Sequence, residues 1–451
     1  MNKKPLNRRA FLKRASTASA GVPLLASASL GQNPSSGAAK GTLALLGGKP
    51  VRNGAFPGWP VLEKNDRDGW EKVLNEGHWC RLDGNYANSF EKAYAELTGT
   101  KHCLVTANGT SALFTSLNAM GIGPGDEVIV PPYTFVATIN VVLLNHALPV
   151  FVDSDRMSSQ IDANKIEAAI TPKTRCIIPV HIGGNAADID KTLAIGKKHS
   201  IPVLEDACQA HLGEWRGRKL GAWGQCGCFS FQASKNLNSG EGGAIISDDG
   251  DFIERCYAFH NNGRGRRRAG FSYAHGGANL RMTEFQAALL LQQMTRVAEQ
   301  SRVREENAKY LTKLLAEIPG ITPAKQFEGC TRNAYHLYML NYDKAAFAGV
   351  SRDRFLKALR AEGIPGSDGY SPINKEPFLK EVLGSRAYKQ IYGEERLAAW
   401  WANNNFPEND RLCEEAVWFT QTMLLGPRSD MDEIAAAIRK IHDNAGALAK
   451  A

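Results

Sequence analysis

The apolar positions of this chain keep two rhythms. From His102 onward, short apolar runs alternate with amphipathic segments. The runs Cys103–Thr106, Glu127–Pro131, Leu148–Val152, Arg175–Val180, Ile201–Glu205, Gly227–Phe231 and Gly243–Ser247 read as strands. Ser111–Met120, Asn164–Ile170 and Ile189–His199 read as helices between them. This alternation predicts an α/β fold, a mainly parallel seven-stranded sheet covered by helices. Such a sheet takes its ligands at the carboxyl ends of its strands.

Thr283–Ala316 is rich in Glu, Gln, Ala, Leu and Arg and predicts one long helix leaving the large domain. A strand over Tyr335–Leu340 and helices over Ser351–Ala361 and Asp430–Ala445 then predict a smaller α+β domain. The expected division is a large domain over 43–316 and a small C-terminal domain over 317–451. The polar, small-residue stretch 29–42 is a linker.

Composition supports this layout. The 451 residues are 43% apolar, enough to bury a core in one large domain and a smaller one. The formal charge of +8 changes meaning once it is located. Lys3, Lys4, Arg8, Arg9, Lys13 and Arg14 supply six positive charges with no acid among the first 28 residues, so the body is near neutral. A near-neutral body gives no reason to expect a nucleic-acid partner. The cysteines are nine, an odd number, and no second cluster matches Cys226 and Cys228, so neither a complete disulfide framework nor zinc is expected.

The basic N-terminus itself has a pattern. Asn7-Arg8-Arg9-Ala10-Phe11-Leu12-Lys13, a mildly apolar stretch from Ala15 to Leu30, and Ala26-Ser27-Ala28 together look like a twin-arginine signal peptide over 1–28 with an A-x-A cleavage site. The stretch is too short and too rich in small residues for a stable membrane span. The expectation is periplasmic or other export in the folded state, with a basic cytoplasmic tail as the alternative.

Four strand ends carry candidate chemistry. Asn108-Gly109-Thr110-Ser111 opens a helix, where free N–H groups and hydroxyls suit a phosphate; the same residues also make an ordinary turn and N-cap. Pro131-Pro132-Tyr133-Thr134-Phe135 places an aromatic where a flat ring could lie, or simply a core aromatic. Asp206 ends the apolar run from Ile201, where a carboxylate needs a cationic or hydrogen-bonding partner, although an Asp opening a helix is common. Lys235 follows the run Phe229–Phe231 in the glycine-rich turn that ends Gly240-Glu241-Gly242-Gly243, and is the candidate nucleophile; alone, it equally fits a solvated lysine. In this order, a phosphate cradle, an aromatic face, a carboxylate and a lysine are what pyridoxal 5'-phosphate requires of a protein.

With these motifs the chain resembles the DegT/StrS-type aminotransferases, which act on sugars and cyclitols within the fold-type I (aspartate-aminotransferase) fold. The likeness runs from about Leu43 to near Ile441, through Asn108-Gly109-Thr110, Pro131-x-x-Thr134-Phe135-x-Ala137-Thr138, Glu205-Asp206-Ala207-x-Gln209-Ala210 and Lys235-Asn236-x-x-x-Gly240-Glu241-Gly242-Gly243. The resemblance implies that Lys235 holds pyridoxal phosphate as a Schiff base and then shuttles the substrate proton. It implies that Asp206 keeps the pyridine nitrogen protonated, Phe135 stacks on the ring and Gln209 lies near the ring hydroxyl. Gly109, Thr110 and Ser230 would bind the phosphate, and Asn279 would reach it from a neighbouring subunit, making a homodimer with shared active sites. His181 and His211 match positions near the substrate pocket, and each is also plausible as a structural histidine. The run Arg264-Gly265-Arg266-Arg267-Arg268 matches a mobile loop, facing either an anionic substrate or solvent.

Two features depart from the pattern. Gln232 stands where a histidine is frequent three residues before the lysine, and an export signal sits oddly with a nucleotide-sugar substrate. The opening Leu43-Ala44-Leu45-Leu46-Gly47-Gly48-Lys49-Pro50 is similar to the cyclitol aminotransferases and the aminohydroxybenzoate synthases. The expected function is transfer of an amino group from glutamate or glutamine to a keto-sugar or keto-cyclitol. The rivals are a dehydrating or aromatising reaction on the same cofactor, and a sensor or binding protein without turnover.

Overall fold

The computed structural model describes residues 41–266, 273 and 275–451. The signal peptide and most of the linker expected from the sequence lie outside the described residues, as do Arg267 and Arg268.

The seven strand runs form β1 (His102–Thr106), β2 (Glu127–Val130), β3 (Leu148–Phe151), β4 (Thr174–Ile177), β5 (Leu204–Asp206), β6 (Cys226–Ser230) and β7 (Gly243–Ser247). Two ladders, β1-β7-β6-β5 and β3-β2-β4, carry them. Isolated parallel bridges, Ile177 to Val203 and Val180 to Asp206, join β4 to β5 and make the order continuous. Only β7 runs against its neighbours, with Gly243 opposite both Thr106 and Ser230. The start of β7 therefore lies beside the carboxyl ends of β1 and β6, and the residues before it join the ligand-binding edge.

The alternation along the strands explains why both sheet faces are dry. Cys226 and Cys228 pack with Leu104, Val128 and Ile245 on one face. Phe229 and Phe231 pack with Cys103, Val105 and Ile246 on the other. All nine cysteines are free thiols. Among the described residues there is no cluster of metal ligands, and no helix is long and apolar enough to cross a membrane.

The long helix runs from Glu284 to Leu315, one residue inside the expected span at each end. Its start is fixed by a capping box between Thr283 and Gln286. The C-terminal region builds an antiparallel sheet of β8 (Ile321–Pro323), β9 (Leu337–Tyr342) and β10 (Ala416–Thr420), in the order β8-β9-β10. Between β9 and β10 the chain returns to the first sheet, which no sequence pattern announced. Tyr388 donates its hydroxyl hydrogen bonds to Leu143 O and Ala147 O, and Trp400 Nε1 donates to Pro149 O at 2.6 Å.

The start of the described chain is tied to its end by buried charges. Glu362 accepts from Ala44 N and Val51 N and pairs with Lys440 at 2.8 Å, while Arg52 pairs with Asp430 at 2.9 Å. These groups are buried and mutually satisfied, so losing one partner would strand a charge.

Candidate active site

A cavity of about 610 Å³ opens at the carboxyl edge of the sheet. It gathers Gly109, Thr110, Phe135, Asp206, Gln209, Ser230 and Lys235, seven residues singled out from the sequence. Each is delivered by a strand end or the turn just beyond it.

The anion end is built by the helix Gly109–Ala119. Asn108 caps it, its side chain accepting from Ser111 N at 2.8 Å, which leaves the first N–H groups of the turn for a ligand. Gly109 is demanded by space: a Cβ there would meet Ser230 Cβ at 2.8 Å and Cys208 Sγ at 3.0 Å. Ser230 Oγ accepts from Gln232 N at 3.3 Å, so its own proton remains available. This cradle, open only because residue 109 lacks a side chain, fits a phosphate.

Asp206 is buried and aimed by its neighbours. Its Oδ2 accepts from Thr138 Oγ1 at 2.8 Å, Thr138 is bonded to Thr134 at 2.9 Å, and Oδ1 accepts from Cys208 N at 3.2 Å. Phe135 is 57% exposed, an apolar ring left uncovered at the cavity wall as a partner for a flat ligand. Gln209 has its amide orientation fixed: Oε1 accepts from Gly183 N at 2.7 Å and Nε2 donates to Tyr370 Oη at 2.9 Å.

Lys235 sits in a turn held by backbone bonds from Phe231 N to Gly242 O, Ala233 N to Gly240 O and Ser239 N to Phe231 O. Gly240 has φ 85°, a left-handed conformation that suits glycine. Burial pulls the Lys235 amine below its usual range, opposed by nearby Cys208 and Asp206. A lysine with a depressed pKa facing a carboxylate in a cleft has the character of an amine nucleophile.

The other expected residues lie elsewhere. His181 is fully buried outside the cavity lining: Nδ1 accepts from Ala187 N at 3.1 Å, so Nε2 carries the proton and donates to Glu205 at 3.0 Å. Glu205, the residue before Asp206, points away from the site and also accepts from Gly221 N, Trp223 N and Gly224 N. His211 is buried behind β6, donating from Nε2 to Ser230 O at 2.8 Å and accepting from Tyr94 Oη at 3.0 Å. Burial pushes its pKa down to about 4, so it is a neutral support for the strand that carries Ser230. Asn279 is exposed and bridges to Asn261, outside the cavity lining. Arg266 pairs with Glu91 and Glu254 and lies over the Tyr257 ring at 4.3 Å.

The lining also contains His336, Leu337, Tyr370 and Trp418, which sequence reasoning did not single out. They come from the C-terminal region, more than 100 residues beyond Lys235. The one signal was a histidine inside the apolar run Tyr335–Leu340.

Comparison with known proteins follows the same lines. Residues 60–399 match the model of the DegT/DnrJ/EryC1/StrS aminotransferase family. The chain belongs to this family. It is 35% identical over 422 residues to an L-glutamine:2-deoxy-scyllo-inosose aminotransferase of Streptoalloteichus tenebrarius, covering 90% of this chain and 99% of that one. It is 35% identical to the L-glutamine:scyllo-inosose aminotransferase of Streptomyces griseus, over 89% and 98% of the two chains. Among solved structures, 3-amino-5-hydroxybenzoic acid synthase superposes with a TM-score of 0.77 at 32% identity, over 88% of this chain and 99% of that one. As a member of the DegT/DnrJ/EryC1/StrS family the chain is an aminotransferase, and its cofactor is pyridoxal 5'-phosphate.

Proposed function

We propose that this aminotransferase takes its amino group from L-glutamine or L-glutamate and delivers it to an uncharged keto-cyclitol. The observation that carries the acceptor class is the charge of the cavity wall. Among the described residues that line it, Lys235 is the sole cation, while Glu241 adds a carboxylate beside Gln232, Ser234 and Tyr370. Beyond the phosphate cradle, a wall of amides, hydroxyls and the two acids Asp206 and Glu241 suits a polyhydroxylated ring better than a diphosphate. The names of the relatives, which take L-glutamine and scyllo-inosose derivatives, support the same reading.

When bound, pyridoxal phosphate supplies the electron sink that makes the α-proton of an amino acid removable. The positions of this chain's residues support the following roles. Gly109, Thr110 and Ser230 would hold the phosphate, and Phe135 would offer its exposed ring to the flat cofactor. Asp206, kept in place by Thr138, would hold a proton on the ring nitrogen. Gln209 and Tyr370, bonded to each other, would line the same cavity. Lys235 would bind the cofactor through its amine and, when free of it, would move the substrate proton at Nζ.

A homodimer belongs to the same proposal. Trp70 and Trp79, both exposed, gather on Phe285 at centroid distances of 4.8 and 5.7 Å, with exposed Leu74 and Leu82 also in this region of the chain. An uncovered apolar group of this kind marks an interface, and exposed Asn279 would then reach a partner's site. The residues 1–28 direct export by the twin-arginine route, and a mature N-terminus at Met1 in cell fractions, with no protein outside the cytoplasm, would refute that.

The test is spectroscopic. Holoprotein should be yellow, lose its visible band on adding L-glutamine alone, and regain it on adding scyllo-inosose. A band that no amino donor changes would favour a dehydrating or aromatising reaction, a rival suggested by the likeness to 3-amino-5-hydroxybenzoic acid synthase. A colourless protein after reconstitution would leave only a binding role.

A further inference from the structure

His336 reaches the cavity from the C-terminal region at an unusual backbone site. The residue before it, Tyr335, has φ 48°, a left-handed conformation rare for an aromatic side chain, held by a bond from its N–H to Asn333 Oδ1 at 2.8 Å. From the other side, Gln421 N donates to His336 O at 3.1 Å. The imidazole is therefore placed by its backbone, directly after a residue, Tyr335, held in a strained conformation.

Its protonation state follows from a chain of hydrogen bonds. Asn236 Nδ2 donates to Ala334 O at 2.7 Å, so the oxygen of that amide is the atom turned toward the ring. Asn236 Oδ1 lies 3.3 Å from His336 Nδ1, which must then carry the proton and donate. The bare lone pair of His336 Nε2 faces Lys235 Nζ at 3.4 Å. Burial, with Lys235, His211 and Arg304 nearby, holds the ring well below the usual histidine range, so it stays an acceptor. The charged and titratable groups acting on Lys235 itself are Cys208 and Asp206, with His336 and His211 near it and Glu241 on the same cavity wall.

We propose that His336, locked as its Nδ1–H tautomer by Asn236, is the positioning residue that receives the Lys235 amine whenever it is free of the cofactor. By accepting one N–H it fixes the rotation of Nζ, so that the amine's remaining lone pair is held in one direction instead of sweeping the cavity. His336 takes no proton; it orients the group that does. The lock is written in adjacent residues, since Lys235 and Asn236 engage the same imidazole through its two nitrogens.

This inference rests on the reading of Lys235 as the cofactor-bearing amine, and its tests separate the two. The yellow band and its loss in Lys235→Ala report on that reading alone. In full-length apoprotein, the pH dependence of Lys235 labelling by trinitrobenzenesulfonate, located by peptide mass, reports on His336. Removing the acceptor in His336→Phe withdraws stabilisation of the ammonium form, so the labelling midpoint should fall by about one pH unit and return in His336→Gln, which restores an acceptor. In holoprotein, His336→Phe should keep the yellow band. The rate constant for its loss with saturating glutamine should drop about ten- to a hundredfold, with half-saturation unchanged within about twofold and a larger isotope effect from α-deuterated glutamine. Asn236→Leu, which keeps the imidazole but frees its tautomer, should shift the same quantities in the same direction and serves if the phenylalanine variant fails to fold. An unchanged labelling midpoint, an unchanged isotope effect, or a glutamine variant as impaired as the phenylalanine one in a folded protein overturns the proposal.

Discussion

Acid should unfold this protein through histidines that are buried neutral, and His211 allows the size of the effect to be worked out. Its ring is enclosed by Tyr94, Phe229 and Phe231, with a centroid 5.4 Å from Phe231 in a stacked arrangement. Burial lowers its pKa from 6.5 to about 4, although the Ser230 carbonyl pulls the other way. The folded value lies below the unfolded one, so the unfolded chain binds the proton first. The contribution is fully present above 6.5 and is lost as the pH falls from there toward about 4. Across the whole window the loss is about 3 kcal/mol, and between about pH 8 and about pH 5.5 it is about 1 to 2 kcal/mol. His260 behaves alike, pushed down to about 3 by burial and then by Arg81, so the two together remove about 3 kcal/mol by about pH 5.5. The assay is urea unfolding at a series of pH values, for the native chain and for His211→Gln, which keeps a side-chain N–H for the Ser230 carbonyl. The variant starts less stable, but its slope between about pH 6 and about pH 5 should be shallower by a little less than one proton, about 1 kcal/mol per pH unit. Parallel slopes would refute the placement of a neutral His211 behind β6.

Three further outcomes are expected. Lys235→Ala should yield a protein that melts normally but forms no borohydride-trapped adduct, checked by intact mass. Gly109→Ala should weaken pyridoxal phosphate binding about ten- to a hundredfold, because the new methyl crowds Ser230 and Cys208; absorbance titration of apoprotein measures it. Glu205→Gln should cost about 2–4 kcal/mol in denaturant unfolding, since an amide N–H would be turned toward three backbone N–H donors and His181 in a buried site.

The sequence alone determined the local and the periodic. The seven strands, the helix after Asn108 and the long helix follow from apolar rhythm, an N-cap sequence and local composition, which act over a few positions. The cofactor motifs were legible because each is a short run at the end of one strand, and the parallel sheet brings strand ends together by its topology. Glu205 and Asp206 show where that legibility stops: adjacent carboxylates point to opposite sides of the strand, one into a nest of backbone donors and one into the cavity. Only tertiary structure decided this, and only it placed His181 and His211 behind the wall. The same holds for His336, Tyr370 and Trp418, which cross more than 100 residues of chain to complete the site. No local period encodes such an approach; it is set by how the second sheet packs against the first. The chemistry of the cofactor was therefore written in the sequence near Lys235, while the partner that orients its amine was decided by the fold.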